Sequence, residues 1–233
     1  MKFMNSSNFR PPRKSLSSRI VLTLNKTKIY ESTKIKHLGL ILDSRLSWKE
    51  HTCELAKNLS RCVGMLYKSR DFCPTTVLKS LYYSIFHSHL SYGLPVWGYA
   101  HNDHIKKIIN LQKKAVRAIT FSKYREKSSP ILKKLEILKI KDLIYQRTAS
   151  LLWDLNKETL PPSLSSYFTK ANSTHDQNTR FANSGNLVIG INSNSFKSIG
   201  ANIFNDLNSK QAFSASSKNI FLDKIKSNFI IDY

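Results

Sequence analysis

Hydrophobic and polar residues recur with two different periods along the chain, and the change of period separates two kinds of structure. In segments 19–24, 28–35 and 36–42, short apolar runs flank turn residues, with Asn25-Lys26 between the first two. This pattern is typical of strands joined by tight turns and predicts a small antiparallel meander. From residue 48 to 70, apolar residues recur at spacings of three and four, which predicts an amphipathic helix. Its apolar stripe consists of Leu55, Leu59, Cys62, Val63 and Leu66.

The helical period continues through most of the remaining sequence. It predicts further helices over 75–93, 102–121, 130–138, 141–156, 196–207 and 218–229, and a short strand is predicted over 187–191. Residues 169–186, which precede this strand, are rich in Asn, Ser and Thr, which is typical of a linker. The expected fold class is α+β, mainly α, with an N-terminal antiparallel β-meander (1–46), a helical domain (47–168), a linker (169–186) and a smaller α/β C-terminal region (187–233).

The segment HLGLILDSRLSWKEH, residues 37–51, joins the meander to the first long helix. Its apolar residues predict a buried strand that contains Leu38, Leu40, Ile41 and Leu42. A turn follows at Asp43, whose carboxylate is expected to bond the backbone of its own turn. A magnesium ligand is the alternative role for this residue. Ser47 and Glu50 have the spacing of a capping box, in which each side chain bonds a backbone amide near the helix start.

Positive charge is the strongest feature of the composition. The chain has 37 Lys and Arg against 15 Asp and Glu, a formal net charge of +22. Such an excess is typical of proteins that bind a polyanion, so nucleic acid is the first expected partner and an anionic membrane the second. Residues 104–150 contain 13 basic and 3 acidic side chains, whereas residues 151–233 contain 8 and 6. The polyanion surface is therefore expected in the middle of the chain.

The helix predicted over 102–121 separates its apolar and basic residues onto two faces. At about 100° per residue, one face carries Ile105, Ile108, Ile109, Gln112, Ala115, Val116 and Ile119. The other presents five cations, with no acidic residue between His104 and Arg125, and these are Lys106, Lys107, Lys113, Lys114 and Arg117. Two interpretations stay open, an ordinary solvated helix face and a surface that contacts phosphates. Tyr124, Arg125 and Lys127 would extend such a surface.

Other residue types give weaker indications of a site. Cys53, Cys62 and Cys73 lack the short spacing of a zinc site and indicate a reducing compartment. His101 and His104 lie three residues apart without a third ligand nearby, which favours solvated histidines over a metal site. The spacing of the aromatic residues Tyr82, Tyr83, Phe86 and Trp97 favours a place in the core over base stacking.

The N-terminal segment and the apolar runs give little support for targeting or a membrane span. Residues 1–19 are basic and serine-rich, as in mitochondrial transit peptides, but Pro11-Pro12 would interrupt the amphipathic helix that such peptides form. No apolar run reaches membrane-spanning length without interruption, so no membrane partner is expected.

Several segments resemble motifs of the reverse transcriptases of non-LTR retrotransposons, the LINE or jockey-like mobile elements. Segment 37–51 matches the pattern YLGV-LD--L-W--H at Gly39, Asp43, Leu46, Trp48 and His51. LSYGLPVWG matches L-YG--VWG at Tyr92, Gly93, Trp97 and Gly98. Further matches follow in the same order at 111–120, 160–168, 175–180 and 213–229. The segment GANIFNDL, residues 200–207, departs from the family pattern because it lacks a tryptophan and a proline.

The resemblance implies that the chain corresponds to the end of the polymerase palm, the helical thumb and the C-terminal region. In this family, two magnesium ions are held by a doublet of aspartates in the palm. The chain has nine aspartates and no two adjacent acidic residues. We therefore expect no polymerase activity from this chain alone and no cofactor of its own, although the parent enzymes use Mg²⁺.

The function that the resemblance implies is sequence-independent binding of template and primer, an RNA–DNA hybrid or duplex. The protein would contact the backbone of the nucleic acid and not its bases. Two alternatives stay open, a helical protein-interaction module without a nucleic-acid role and a small enzyme with an unrecognised site. The family's KTKFM-FS segment resembles the N-terminal residues KFMNSSNFRP. This match favours an intracellular location in the nucleus or cytoplasm over mitochondrial targeting, and the sequence leaves the oligomeric state undetermined.

Overall fold

The computed structural model describes residues 5–6, 22–24, 26–171, 185–190 and 195–233. Over these residues the fold is α+β and mainly α, with short strands first and helices after them, as the sequence predicts. Most of the N-terminal segment 1–19, most of the predicted linker and the motif at 175–180 lie outside the described residues. The predicted domain boundaries stay predictions.

The described strands form two small sheets. β1 (Asn5–Ser6) pairs in parallel with β3 (Thr27–Glu31), which pairs antiparallel with β2 (Leu22–Leu24). β4 (Lys34–His37) and β5 (Leu40–Asp43) form a separate antiparallel hairpin. A single meander is therefore the wrong prediction for the described strands. The predicted strand over 28–35 is interrupted at Ser32, whose hydroxyl donates to the Lys34 carbonyl at 2.6 Å.

The β4–β5 hairpin also corrects the prediction of a buried strand that includes Leu38. His37 pairs with Leu40, which leaves Leu38 and Gly39 as a two-residue turn with φ values of 44° and 81°. Positive φ at both central residues is what the right-handed twist of a hairpin favours. Leu38 is consequently 75% exposed, and Leu40, Ile41 and Leu42 are only half-buried.

Contacts within the chain define two compact units, and the first contains the described residues up to Gly93 together with Ala100–Glu126. After the hairpin, this unit is helical: α1 (Lys49–Ser69), α2 (Thr75–Leu81), a wider π-type segment (Tyr82–His87), α3 (Ser88–Ser91) and α5 (Asn102–Ile119). The five residues of the apolar stripe predicted on α1 are all buried. The first unit therefore has a core built between long amphipathic helices.

The second unit consists of Leu94–Tyr99 and the residues from Lys127 onward. Its helices are α4 (Leu94–Trp97), α6 (Ser128–Leu135), α7 (Ile140–Asn156), α8 (Pro162–Ser165), α9 (Phe196–Ser209) and α10 (Lys218–Ile231), with a short 3₁₀ turn (Ala212–Ser214) before α10. The strand predicted over 187–191 is reduced to a single bridge between Lys170 and Leu187. The core centres on Trp153, whose ring lies 4.8 Å from that of Phe221 between centroids.

None of the described helices combines the length and the apolar character that crossing a lipid bilayer requires.

Two of the motif segments meet in the first unit. The Tyr92 hydroxyl donates to the Leu38 carbonyl at 2.5 Å, so the segment 90–98 contacts the hairpin turn of the segment 37–51. Gly93 has φ 60°, and a Cβ there would lie 2.9 Å from a methyl carbon of Leu40. Glycine therefore suits this position by its backbone conformation, and a larger residue would also have to displace the end of the Leu40 side chain.

Candidate nucleic-acid interface

The start of α1 is fixed by Asp43 rather than by the predicted capping box. The two carboxylate oxygens of Asp43 accept hydrogen bonds from the backbone N–H groups of Arg45, Ser47 and Trp48 at 3.0, 3.1 and 3.0 Å. Glu50 instead faces Lys34, at 3.9 Å between Nζ and Oε2. Burial alone would raise the pKa of the Asp43 carboxyl, but the donors of Ser47, Arg45 and Trp48 outweigh burial and lower that pKa.

Other motif residues lie around the start of α1. Trp48 has φ 63° at the residue before the helix, and its ring meets the imidazole of His51 edge to face, 6.3 Å between centroids. His51 is buried, and burial lowers its pKa. These motif residues therefore hold the junction between hairpin and helix.

The predicted faces of α5 are confirmed by burial. Its apolar face is buried except for Ile109, which is half-buried. Gln112 lies in that face and donates to the hydroxyl of Tyr82 at 3.3 Å. The helix begins at Asn102 with His101 as its cap, since His101 Nδ1 accepts from the Asp103 amide at 3.5 Å. The opposite face of α5 carries four lysines that are exposed to solvent, Lys106, Lys107, Lys113 and Lys114.

A groove follows the contact between α1 and α5, and we call it the basic groove. Its main part is lined by Cys53, Ala56, Lys57, Ser60, Arg61, Lys107, Asn110, Leu111 and Lys114. It continues toward the helix starts between Lys49, Thr52 and Cys53 on α1 and Asp103, His104, Lys106, Lys107 and Asn110 at the start of α5. The early turns of each helix face each other, as do the later turns, so α1 and α5 run in the same direction.

The structure divides the five predicted cations into three groups. Lys107 and Lys114 line the main part of the basic groove, and Lys106 lines its continuation at the helix starts. Lys113 is exposed on the adjoining side of α5. Arg117 donates from Nε and Nη2 to the carbonyl oxygen of Glu126, at 2.9 and 2.7 Å. Its guanidinium therefore holds the loop after α5 in place.

Sequence reasoning missed the cations that α1 contributes to the groove, Lys49, Lys57 and Arg61. The signal was available, because residues 49, 53, 57 and 61 recur every four positions beside the apolar stripe and so lie along one side of the helix. Lys57 pairs with Glu54 at 3.1 Å, with both side chains largely exposed. An exposed pair of this kind is weak, so Lys57 remains able to contact another anion.

The charges that line the groove are predominantly positive. Six lysine and arginine side chains line its two parts, against one carboxylate, that of Asp103. Cations on two parallel helices can contact successive phosphates along one strand, so the groove suits a linear polyanion better than a compact anion.

Residues of the types that bind metal ions are scattered over the described part of the chain. No three His, Cys, Asp or Glu side chains come together there in a way that could hold a metal ion. Both carboxylate oxygens of Asp43 are already occupied by hydrogen-bond donors of residues 45–48. The alternative of a magnesium role for Asp43 is therefore not supported, whereas the predicted turn role is.

Most of the aromatic residues predicted to lie in the core do so. Tyr82, Phe86 and Trp97 have no exposed surface, whereas Tyr83 is 37% exposed. Burial raises the pKa of the Tyr82 hydroxyl, which favours its neutral form as hydrogen-bond partner of Gln112. These rings are therefore inaccessible to a ligand, apart from that of Tyr83.

Two polymerases of Drosophila melanogaster are similar to this chain over about half of its length. The probable RNA-directed DNA polymerase from transposon X-element is 25% identical over 129 residues, which make up 54% of this chain and 14% of that protein. The RNA-directed DNA polymerase from mobile element jockey is 28% identical over 124 residues, 52% of this chain and 14% of that protein. The resemblance predicted from the motifs is therefore confirmed. No family model matches the chain, and no solved structure matches it significantly.

Proposed function

We propose that this chain is a part of an RNA-directed DNA polymerase of a non-LTR mobile element. We further propose that its basic groove binds the sugar–phosphate backbone of a nucleic acid. The observation that carries the proposal is the set of six cations from two parallel helices along one groove. The similarity to two polymerases of such elements supports it independently. The expected ligand is an RNA–DNA hybrid or duplex.

Binding of this kind depends on phosphate neutralisation and not on base identity. Each lysine or arginine that contacts a phosphate releases condensed counterions, so affinity falls as salt concentration rises. Six contacts would give a log–log slope of about −5 on B-form DNA, with a similar order on a hybrid. All six side chains are exposed lysines or arginines on regular helices, and Lys49 is the first residue of α1. They can therefore reach a backbone without rearrangement of the core.

We also propose that the chain does not join nucleotides by itself. Two-metal nucleotidyl transfer needs carboxylates that hold both ions, and the sequence has no adjacent pair of acidic residues. Incorporation of a labelled nucleotide by the purified chain, with Mg²⁺ and a primed template, would contradict this part of the proposal.

The groove is tested by matched charge reversals and fluorescence anisotropy with an RNA–DNA hybrid at several salt concentrations. Lys107→Glu with Lys114→Glu removes two groove contacts, so the magnitude of the salt slope should fall by about 1.8 and binding at low salt should weaken at least tenfold. Lys134→Glu with Lys141→Glu is the control, because it makes the same charge change at exposed positions of α6 and α7.

The control separates a local groove from the effect of net charge. Equal losses in the two double variants would show that net charge alone drives binding. Absence of wild-type binding at low salt, with helical circular dichroism intact, would favour the protein-interaction alternative.

A further inference from the structure

Beyond the basic groove, four exposed aromatic residues lie near the C-terminal ends of α1 and α5 or in the loops that follow them, and the half-buried Arg70 contacts two of them. The aromatic residues are Tyr67, Phe72, Phe121 and Tyr124, which are 38%, 86%, 49% and 75% exposed. Single exposed apolar side chains are common on protein surfaces, whereas several gathered in one place indicate an interaction site. We call these four residues, together with Arg70, the aromatic cluster.

Arg70 connects the two helix ends. Its guanidinium carbon lies 4.7 Å from the centroid of the Phe121 ring and 5.5 Å from that of Tyr67. These are cation–π distances, so Arg70 contacts one ring at each helix end. Both rings remain partly exposed, at 38% for Tyr67 and 49% for Phe121.

The loop after α5 is built to present its rings. Ser122 N–H donates to the Arg117 carbonyl at 3.1 Å, a bond that closes the end of the helix and leaves Phe121 in the left-handed region at φ 57°. The side chain of Arg117 then bonds the carbonyl of Glu126, which anchors the other end of the loop. Phe121 and Tyr124 are therefore carried on a short loop that is fixed at both ends.

The aromatic cluster lies along the direction of the basic groove. Ala56 and Ser60 line the groove, and Tyr67 follows them on the same side of α1 at spacings of eleven and seven, because eleven residues return to nearly the same direction. Beyond the end of α5, Phe121 follows Lys114 by seven positions in sequence. Seven residues span about 10 Å of helix, which is the rise of about three stacked bases in one strand.

From this placement we propose that the aromatic cluster is a stacking platform for unpaired bases of a strand whose backbone lies in the basic groove. The proposal rests on the proposed function of that groove and adds a substrate class, a duplex with a single-stranded extension. Aromatic rings stack on every base because each base has a π face, and cations beside the rings neutralise the backbone. Lys123 and Arg125 flank Tyr124 and are exposed.

A nucleic-acid strand suits this surface better than an apolar protein face does. The rings stand on separate segments that also carry exposed charged side chains, namely Lys68, Asp71, Lys123, Arg125 and Glu126. All five and Arg70 would have to lose hydration against an apolar partner, whereas Lys68, Lys123 and Arg125 attract phosphate. A protein partner is thus the competing occupant, and the test below distinguishes it.

The test compares two ligands of the full chain by fluorescence anisotropy: a blunt RNA–DNA hybrid of about 12 base pairs, and the same hybrid with an extension of about six adenine nucleotides, lengths chosen to cover a groove of roughly 18 Å and the cluster beyond it. Wild-type protein should bind the extended hybrid about tenfold more tightly, since each stacked base contributes at least that order of affinity.

Three substitutions remove three of the four rings and leave Tyr67 in place. Phe121→Gly deletes one ring at a position whose positive φ suits glycine, so the helix end is retained. Phe72→Leu and Tyr124→Leu keep apolar surface but lose the π face. The triple variant should lose most of the preference for the extended hybrid, with its affinity for the blunt hybrid within about twofold of wild type because Lys107, Lys114 and their neighbours are unchanged.

The control is Tyr167→Leu, which removes a ring of similar exposure, 47%, from the second unit and should leave the tenfold preference intact. Equal binding of both hybrids by the wild type would overturn the platform while leaving the groove proposal standing. A tenfold preference that persists in the triple variant would overturn the platform as well, and would indicate that the exposed rings contact a protein partner instead. Failure of the wild type to bind even the blunt hybrid would count against the groove.

Discussion

At the scale of single residues, Asp43 has the clearest physical role in the described structure. One carboxylate receives three backbone N–H groups and the Ser47 hydroxyl, the last at 3.2 Å, within five residues of chain. These bonds fix a tight turn in which Leu46 and Trp48 both have positive φ, 50° and 63°. Non-glycine residues avoid that region unless other contacts compensate, and the charged acceptor provides the compensation.

This role predicts a pH-dependent contribution to stability. Because the folded-state pKa of Asp43 is lowered, its charged form stabilises the fold above the ordinary aspartate pKa of about 4, and that stabilisation is lost as pH falls through the lowered value. Asp43→Asn should therefore cost about 1–2 kcal/mol at pH 7, and the difference from wild type should shrink below about pH 4. Urea denaturation at pH 7, 5 and 3 measures both effects.

Asp71→Asn is the matched control, because Asp71 is an exposed carboxylate in the loop after α1. It should leave the urea midpoint close to that of wild type at pH 7. A difference between Asp43→Asn and wild type that stays constant from pH 7 to pH 3 would contradict the assigned role of the charge.

Residue types predicted the role of Asp43 but not its geometry. The acceptor was expected because aspartate commonly bonds the backbone of its own turn. The capping box failed because Asp43 already bonds the amides and the hydroxyl near the helix start, which leaves Glu50 facing Lys34. Leu38 was expected to be buried from its apolar character, yet the pairing of His37 with Leu40 places it in the turn. Such outcomes depend on strand register, which residue type alone does not determine.

At the scale of elements, helix positions follow the sequence closely and their ends less so. The helices α1, α7, α9 and α10 begin and end within about two residues of the predicted bounds, because their apolar spacing matches the helical period. The helix predicted over 130–138 fared worse, because α6 begins two residues earlier, at Ser128, and ends at Leu135.

The π-type segment was not predicted, although a sequence feature explains it in retrospect. Leu78, Tyr82, Phe86 and Leu90 are spaced by four and are all fully buried. In a regular α-helix each four-residue step turns about 40° past a full turn, so the first and last would diverge by about 120°. The wider turns over Tyr82–His87 reduce that drift and keep the four side chains on one face.

Packing between elements predicts that alanine substitutions at two glycines, Gly98 and Gly64, change the stability in opposite directions. A Cβ on Gly98 would lie 2.5 Å from the Leu94 carbonyl oxygen and 2.8 Å from a carbon of Ile144, where α4 packs on α7. Gly98→Ala should therefore destabilise the protein by about 1–3 kcal/mol through overpacking. Gly64 lies within α1 with nothing within 4 Å of such a Cβ. Gly64→Ala should stabilise the protein by about 0.5–1 kcal/mol.

Urea denaturation of the two alanine variants, each compared with wild type, measures the pair. Equal and small effects would show that the backbone between Leu94 and Gly98 can shift at little cost, and that close packing is not the reason for glycine in this motif. A destabilising Gly64→Ala would indicate a contact on the exposed side of α1.

At the scale of the whole molecule, the sequence predicted half of the basic groove. The cations of α5 were found because they share one helix, and their local spacing is visible in the sequence. Those of α1 lie about 50 positions earlier, and Lys57 and Arg61 join Lys107 and Lys114 only because the two helices pack side by side. Helix pairing is a tertiary property, and no pattern within either segment specified it.

A short segment of the second unit interrupts the sequence of the first unit, which contains the basic groove. The chain passes from the first unit to the second at Gly93, contributes Leu94–Tyr99 there and returns to the first unit at Ala100. Leu94 and Trp97 have no exposed surface, and α4, which carries them, packs on α7. A fragment that ends at Glu126 would contain every groove residue but would lack α7, so these two side chains would lose their partners.

In a fragment of residues 1–126, Leu94 and Trp97 would form an exposed apolar patch, and the lost burial would cost several kcal/mol of stability. We therefore expect this fragment to bind the dye ANS and to associate on size-exclusion chromatography. Replacing 94–99 with six glycine and serine residues should abolish both properties, because the exposed side chains are then absent. The replaced fragment should bind the blunt hybrid within about threefold of the full chain if the groove is complete in the first unit. Strong ANS binding by the replaced fragment would instead show that the first unit does not maintain its core without the second, and would trace the requirement to packing beyond α4.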